Sequence, residues 1–216
     1  MFASMGERWL PYAAAALATG GSALIMGALT LPSSRNGTEL LSTLQAAPDR
    51  WLLASAAFMY AAFALTVGIP TLIALLGPRG RLTGQVGAVV FAFGTIGLAG
   101  YSALLILFRA LSQHAVVDVR EIDLLSQDNG LLAYVGAFVV AFEVGVGMLA
   151  IALFRARTVQ RWIPALMLTH AVTLPFVRGL PEGLQSMHTL LVGVALIGAA
   201  VSANESWAGL PGRIRR

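Results

Sequence analysis

Long apolar runs recur along the chain, separated by short polar stretches that hold nearly all of its charge. Six runs stand out: Leu10–Leu31, Leu52–Leu76, Leu82–Phe108, Gly130–Phe154, Trp162–Leu180 and Gln185–Ala203. A helix needs roughly 20 such residues to cross about 30 Å of hydrocarbon. The pattern predicts an all-α fold, a polytopic membrane bundle of six transmembrane helices forming one domain over residues 1–216. The first run is read as a retained span. Its apolar part is too long for a signal-peptide core, and no small-x-small cleavage site follows it.

The connections differ in kind. GPRGR and RARTVQR are tight turns, which makes the flanking helices antiparallel neighbours. Residues 32–51 and 109–129 are longer and partly amphipathic. Asn36 or Thr38 can cap a short helix through Glu39-Leu40-Leu41-Ser42, and Val119, Ile122 and Leu125 lie at helical spacing. Short interfacial helices are therefore predicted in the first and third loops, lying as lids with their apolar faces down.

Charge orients the bundle. Six spans put Arg8, Arg79, Arg81, Arg155, Arg157, Arg161, Arg213, Arg215 and Arg216 on one side, against Glu7 and Glu205. The other side holds Arg35, Arg50, Arg109, Arg120 and Arg178 among seven acidic residues: Glu39, Asp49, Asp118, Glu121, Asp123, Asp128 and Glu182. Basic residues favour the cytoplasmic side, so both termini are expected inside. The net charge of +4 thus reads as topology, with no nucleic-acid partner. Only 11% of residues are charged and 57% are hydrophobic, against roughly 25% charged in soluble domains. There is no lysine and no cysteine, which excludes Schiff-base chemistry, thiol relays and disulfides.

A hairpin repeat is suggested over 52–108 and 131–180. Leu52-Leu53-Ala54 recurs as Leu131-Leu132-Ala133. At the same offset Ala62-Phe63 recurs as Ala141-Phe142 and Val67-Gly68 as Val146-Gly147. Ala64 then corresponds to Glu143, the one carboxylate deep in a span.

Glu143 carries the candidate chemistry. A charge at that depth costs about 3 kcal/mol on insertion scales, so it should face protein or a cavity and have a partner. It shares a helical face with Gly136, Gly147 and Ala150, small residues that admit close packing. Counted from the inner ends, Glu143 lies about 16 Å deep and His170 about 12 Å deep on the next span. These two are the expected catalytic or proton-handling pair. Arg178, Gln185, His188, Tyr134 and Tyr101 are placed toward the outer side, as candidate substrate-binding residues around an outward-open pocket. His170 and His188 are expected to differ in depth by about 10 Å, which argues against a bis-histidine haem. No metal or cofactor signature is present.

Structural roles are read for the remainder. Gly94, Gly97 and Gly100 make the third span thin and offer a face for a homo-oligomer. Trp9, Trp51, Trp162 and Trp207 fall at span ends and read as interface anchors. Pro70 and Pro175 should kink their helices.

The exterior acidic Leu-Leu segment before PDRWLLASAAF, the turn GPRGRLTGQVGAVV and the hairpin LFRARTVQRWIPALML resemble small six-span membrane proteins of high-GC bacteria. That resemblance implies a multi-pass protein of the bacterial inner membrane, in contact with lipids, and brings no assigned activity. Three functions fit the residues. The first is a non-catalytic bundle that binds, senses or helps move a hydrophobic, lipid-like molecule. The second is a cofactor-independent membrane enzyme, cyclising or isomerising an isoprenoid- or lipid-like substrate, with Glu143 as general acid and His170 as its partner. The third is a structural subunit of a membrane complex.

Overall fold

The computed structural model describes the backbone of residues 2–32, 34, 37–114, 116, 118–177 and 182–208; within these, side chains are described except at 2–8, 123, 126, 182–186 and 207–208. Eight α-helices follow one another among the described residues: α1 Phe2–Thr30, α2 Gly37–Ala46, α3 Pro48–Ala74, α4 Arg81–Gln113, α5 Val119–Ser126, α6 Asn129–Ala156, α7 Trp162–Val177 and α8 Glu182–Ala208. One 3-10 turn, Pro78–Gly80, joins α3 to α4. The boundaries follow from local chemistry. Pro48 sits in the first turn of α3, where its missing N–H costs nothing. Asp128 caps α6, its carboxylate accepting from the Leu131 N–H at 2.7 Å. Arg157 closes α6 in the left-handed region, with φ 54°.

Among the described residues, five helical stretches are long and apolar enough to cross a membrane: Trp9–Thr30, Pro48–Ala74, Pro78–Gln113, Asn129–Ala156 and Met187–Ser206. The chain is a multi-pass, all-α membrane protein. Of the expected fifth span, Trp162–Val177 is helix α7, 16 residues, and residues 178–180 of the predicted run lie outside the described residues.

Helices α1, α3, α4, α6, α7 and α8 form a ring in chain order. Helix α1 packs on α3, α3 on α4, α4 on α6, α6 on α7 and α7 on α8, and α8 closes on α1. Opposed contacts show the antiparallel runs. Ser55 bonds the Ser102 carbonyl at 2.7 Å while Thr66 meets Thr95 at 2.9 Å on α3 and α4. Such polar contacts hold helices together where lipid supplies no hydrophobic drive between them. At the opposite end from the first and third loops, the Thr158 hydroxyl donates to the Leu75 carbonyl.

The glycines of α4 are used within the chain. A Cβ at Gly94 would lie 2.4 Å from the Cα of Phe142, and one at Gly97 would lie 2.1 Å from the Cβ of Phe138. The stripe expected to serve a homo-oligomer is therefore the seat of α6, whose phenylalanines fill the space that the missing side chains leave. The small face of α6 is used unevenly. A Cβ added at Gly136 would meet nothing within 4 Å, whereas one at Gly147 would lie 3.6 Å from the Cβ of Ala171.

Helices α2 and α5 pack on one end of the ring, α2 against α3, α4 and α5, and α5 against α6. Asp118 and Glu121 form the capping box of α5. Leu44 and Ile122 are buried, as amphipathic caps require. Trp51 departs from its expected role as an anchor. It is buried with the core, beneath this cap, while Trp9 and Trp162 stay exposed. The side chain of Trp207 lies outside the described residues.

Candidate functional site

Helices α6, α7 and α8 bring three titratable side chains to one place. Glu143 stands mid-way along α6, and its Oε1 lies 3.1 Å from Nε2 of His170 on α7. The other nitrogen of His170, Nδ1, is 3.2 Å from the backbone carbonyl of His188 on α8. His188 answers in kind: its Nε2 is 3.0 Å from the carbonyl of His170 and 3.0 Å from Oγ1 of Thr173. The two imidazole rings stack, with centroids 4.1 Å apart and planes 25° from parallel.

The carbonyls assign the protons. A carbonyl oxygen only accepts, so Nδ1 of His170 and Nε2 of His188 each carry a hydrogen. Thr173 donates to the Thr169 carbonyl at 2.6 Å, which leaves its oxygen free to accept from His188. With Nδ1 of His170 protonated, one proton must lie between Nε2 and the Glu143 carboxyl; otherwise two lone pairs would meet at 3.1 Å. Whether that proton sits on nitrogen or oxygen, the pair carries no net charge. A neutral pair is the inexpensive way to keep ionisable groups at membrane depth.

Glu143 is 12% exposed and His170 5%. The second carboxyl oxygen, Oε2, is buried with no hydrogen-bond partner. An unsatisfied buried acceptor costs about 1–3 kcal/mol, so Glu143 is poised to receive a donor.

The place from which a donor could come is a cavity of about 360 Å³ that all six helices of the ring line. Glu143, His170, His188 and Thr189 come from α6, α7 and α8, and tyrosines come from α4 (Tyr101) and α6 (Tyr134). Helices α1, α3 and α4 supply Leu24, Phe58 and Leu98. Phe138 and Phe142, seated by the α4 glycines, form the wall beside Glu143. Most lining residues come from the half of their helix nearer the α2–α5 cap, and Gly94 and Glu143 mark its deep end near the helix midpoints.

No family model, curated protein or solved structure matches this chain. What the site does must be argued from its own atoms.

Of the residues singled out in the sequence, Glu143, His170, His188, Tyr134 and Tyr101 all line this one cavity. Tyr101 meets Phe58 edge-on at 5.9 Å, and Tyr134 meets Phe138 edge-on at 4.8 Å. Arg178 lies outside the described residues, as does the side chain of Gln185. The predicted depth difference between His170 and His188 is corrected: their rings touch. The reciprocal bonds of the two rings to each other's carbonyls hold them level on α7 and α8. Haem ligation by this pair stays excluded for another reason, since rings stacked on each other leave no gap for a porphyrin. Thr173 and Thr189 were not among the residues expected from the sequence. Thr173 is one helical turn beyond His170 and Thr189 adjoins His188, so helical spacing around the histidines was the available signal.

Proposed function

We propose that this protein is a cofactor-independent acid–base enzyme of the membrane interior, isomerising or cyclising a hydrophobic, lipid- or isoprenoid-like substrate. One observation carries the reading: Oε1 of Glu143 lies 3.1 Å from Nε2 of His170 while Glu143 borders a cavity with apolar walls. Oε2 takes a proton from one substrate atom, exchanges it with solvent, and returns a proton to another. Throughout, the proton between Oε1 and Nε2 stays in place, because the Nδ1–H bond of His170 to the His188 carbonyl fixes the imidazole and its tautomer. The protonated His170 offsets the charge that develops on the substrate, an electrostatic role suited to a site shielded from water. The proton count is the same before and after, so no oxidant, reductant or metal is consumed.

Deuterium reads this out whatever the product is. Purified protein in nanodiscs made with membrane-lipid extract, incubated in heavy water, should place deuterium at carbon in one lipid class. Glu143→Gln should abolish that incorporation and keep the fold. Equal incorporation by the two proteins refutes the assignment.

A binding or carrier role is the second reading, favoured by the predominantly apolar wall of the cavity. In that case Glu143→Gln alters affinity modestly and no deuterium enters carbon. For either function we infer six crossings, both termini cytoplasmic and a bacterial inner-membrane location, from the arginine distribution. Cysteine-accessibility labelling at Arg79 and Asp118 positions would place the two loops on opposite sides.

A further inference from the structure

The geometry points to a neutral amphiphilic alcohol, drawn from the bilayer, as the occupant of this cavity. The inference rests on the cavity being the reaction chamber proposed above and names the class of molecule it admits.

The head group follows from the proton count. The Glu143–His170 pair holds one proton between Oε1 and Nε2 and has no net charge. Oε2, buried and without a partner, is then an acceptor and nothing else. A hydroxyl satisfies it by donating. A carboxylate or phosphate head has no proton to give and sets its own oxygens against the carboxyl. An ammonium head has the proton, but it would leave water to face a neutral pair, with its charge uncompensated at membrane depth.

The body follows from the walls. Phe58, Leu98, Phe138 and Val192 present hydrocarbon. A volume of about 360 Å³ holds about a dozen groups of the size of water or methylene. That is an alcohol with a skeleton of about a dozen carbons, and a long-chain lipid would place only part of itself inside.

The route follows from exposure. Tyr134 and Val139 line the cavity and are also exposed, by 52% and 44%. Gly136, between them, has open space where a side chain would be. Below this point α6 meets α7 at Glu143–His170, and Gly147 faces Ala171 with room for one methyl between them. Above it, the cavity reaches the membrane-facing surface of α6, so the ligand slides in from among the acyl chains.

The test uses the full chain in phosphatidylcholine nanodiscs, with tritiated 1-dodecanol as the probe. Dodecane, dodecanoate and dodecylamine compete at equal mole fraction in the bilayer. Dodecanol should bind saturably and at least about tenfold tighter than each competitor, the worth of one hydrogen bond to a buried acceptor. Glu143→Leu should reduce dodecanol to the level of dodecane. Glu143→Gln should keep most of the affinity, because its amide can donate to Nε2 of His170 and still offer a carbonyl. Val139→Trp, on an exposed position at the opening, should slow binding with the helical content unchanged. Dodecanoate or dodecylamine binding as tightly as the alcohol overturns the inference, as does indifference to Glu143→Leu or no saturable binding by a folded protein. Failure of the catalytic proposal looks different: the alcohol binds through Glu143 and no deuterium enters carbon.

Discussion

His170 and His188 hold each other by both ends. Nδ1 of His170 donates to the His188 carbonyl at 3.2 Å, and Nε2 of His188 donates to the His170 carbonyl at 3.0 Å. The stacked rings fill the space between. This reciprocal clamp joins α7 to α8, and it also decides which nitrogen of His170 is left to face Glu143.

The clamp makes a spectroscopic prediction. Nitrogen-15 NMR of histidine-labelled protein should show His170 protonated at Nδ1 and His188 protonated at Nε2. His188→Leu should release the constraint partly, since the carbonyl remains but the ring that packs it is gone. A double-mutant cycle over His170→Leu and His188→Leu, read by reversible unfolding in mixed micelles, should give a coupling of about 1–2 kcal/mol. Additive losses would mean that the two rings do not act as a unit.

Two glycines on facing helices should respond in opposite ways. Gly94→Ala drives a methyl to 2.4 Å from the Cα of Phe142, and backbone cannot step aside cheaply. A loss of about 1–3 kcal/mol is expected, with Phe142 displaced from the wall beside Glu143. Gly136→Ala meets nothing within 4 Å and should gain about 0.5–1 kcal/mol from the stiffer helix. Thermal stability of the two variants, measured side by side, checks the pairing of α4 with α6.

Arg157 occupies a left-handed conformation, φ 54°, at the end of α6. A side chain there costs about 1 kcal/mol that glycine avoids. Arg157→Gly should therefore raise stability by roughly that amount. Since Arg155 and Arg161 remain on the same side, orientation should persist, as a labelling assay can show.

The cap on the cavity end has its own switch. Asp118→Ala removes the carboxylate that accepts from the Glu121 N–H at 3.0 Å, and the reciprocal bond at 2.9 Å loses its partner geometry. Helix α5 should lose about 1 kcal/mol of local stability. Hydrogen exchange should quicken through Val119–Ser126 and release Ile122, while the unfolding temperature of the bundle stays unchanged.

Hydropathy by itself determined that the chain is a membrane bundle of helices, because only a long apolar helix satisfies its backbone in lipid. The expense of a lone carboxylate at that depth pointed to Glu143, and matching depth pointed to His170. The amphipathic spacing around Ile122 predicted α5. Other features were illegible for a common reason: a helix apolar on every side does not announce which side meets protein and which meets acyl chains. Hence the α4 glycines could be read as facing a second copy, when Phe138 and Phe142 of the same chain occupy them. Trp51 could be read as an anchor, when α2 and its neighbours bury it. The stacking of His188 on His170 needed the register of α7 against α8 and the closing of one onto the other. Those are set by how six helices share one interior.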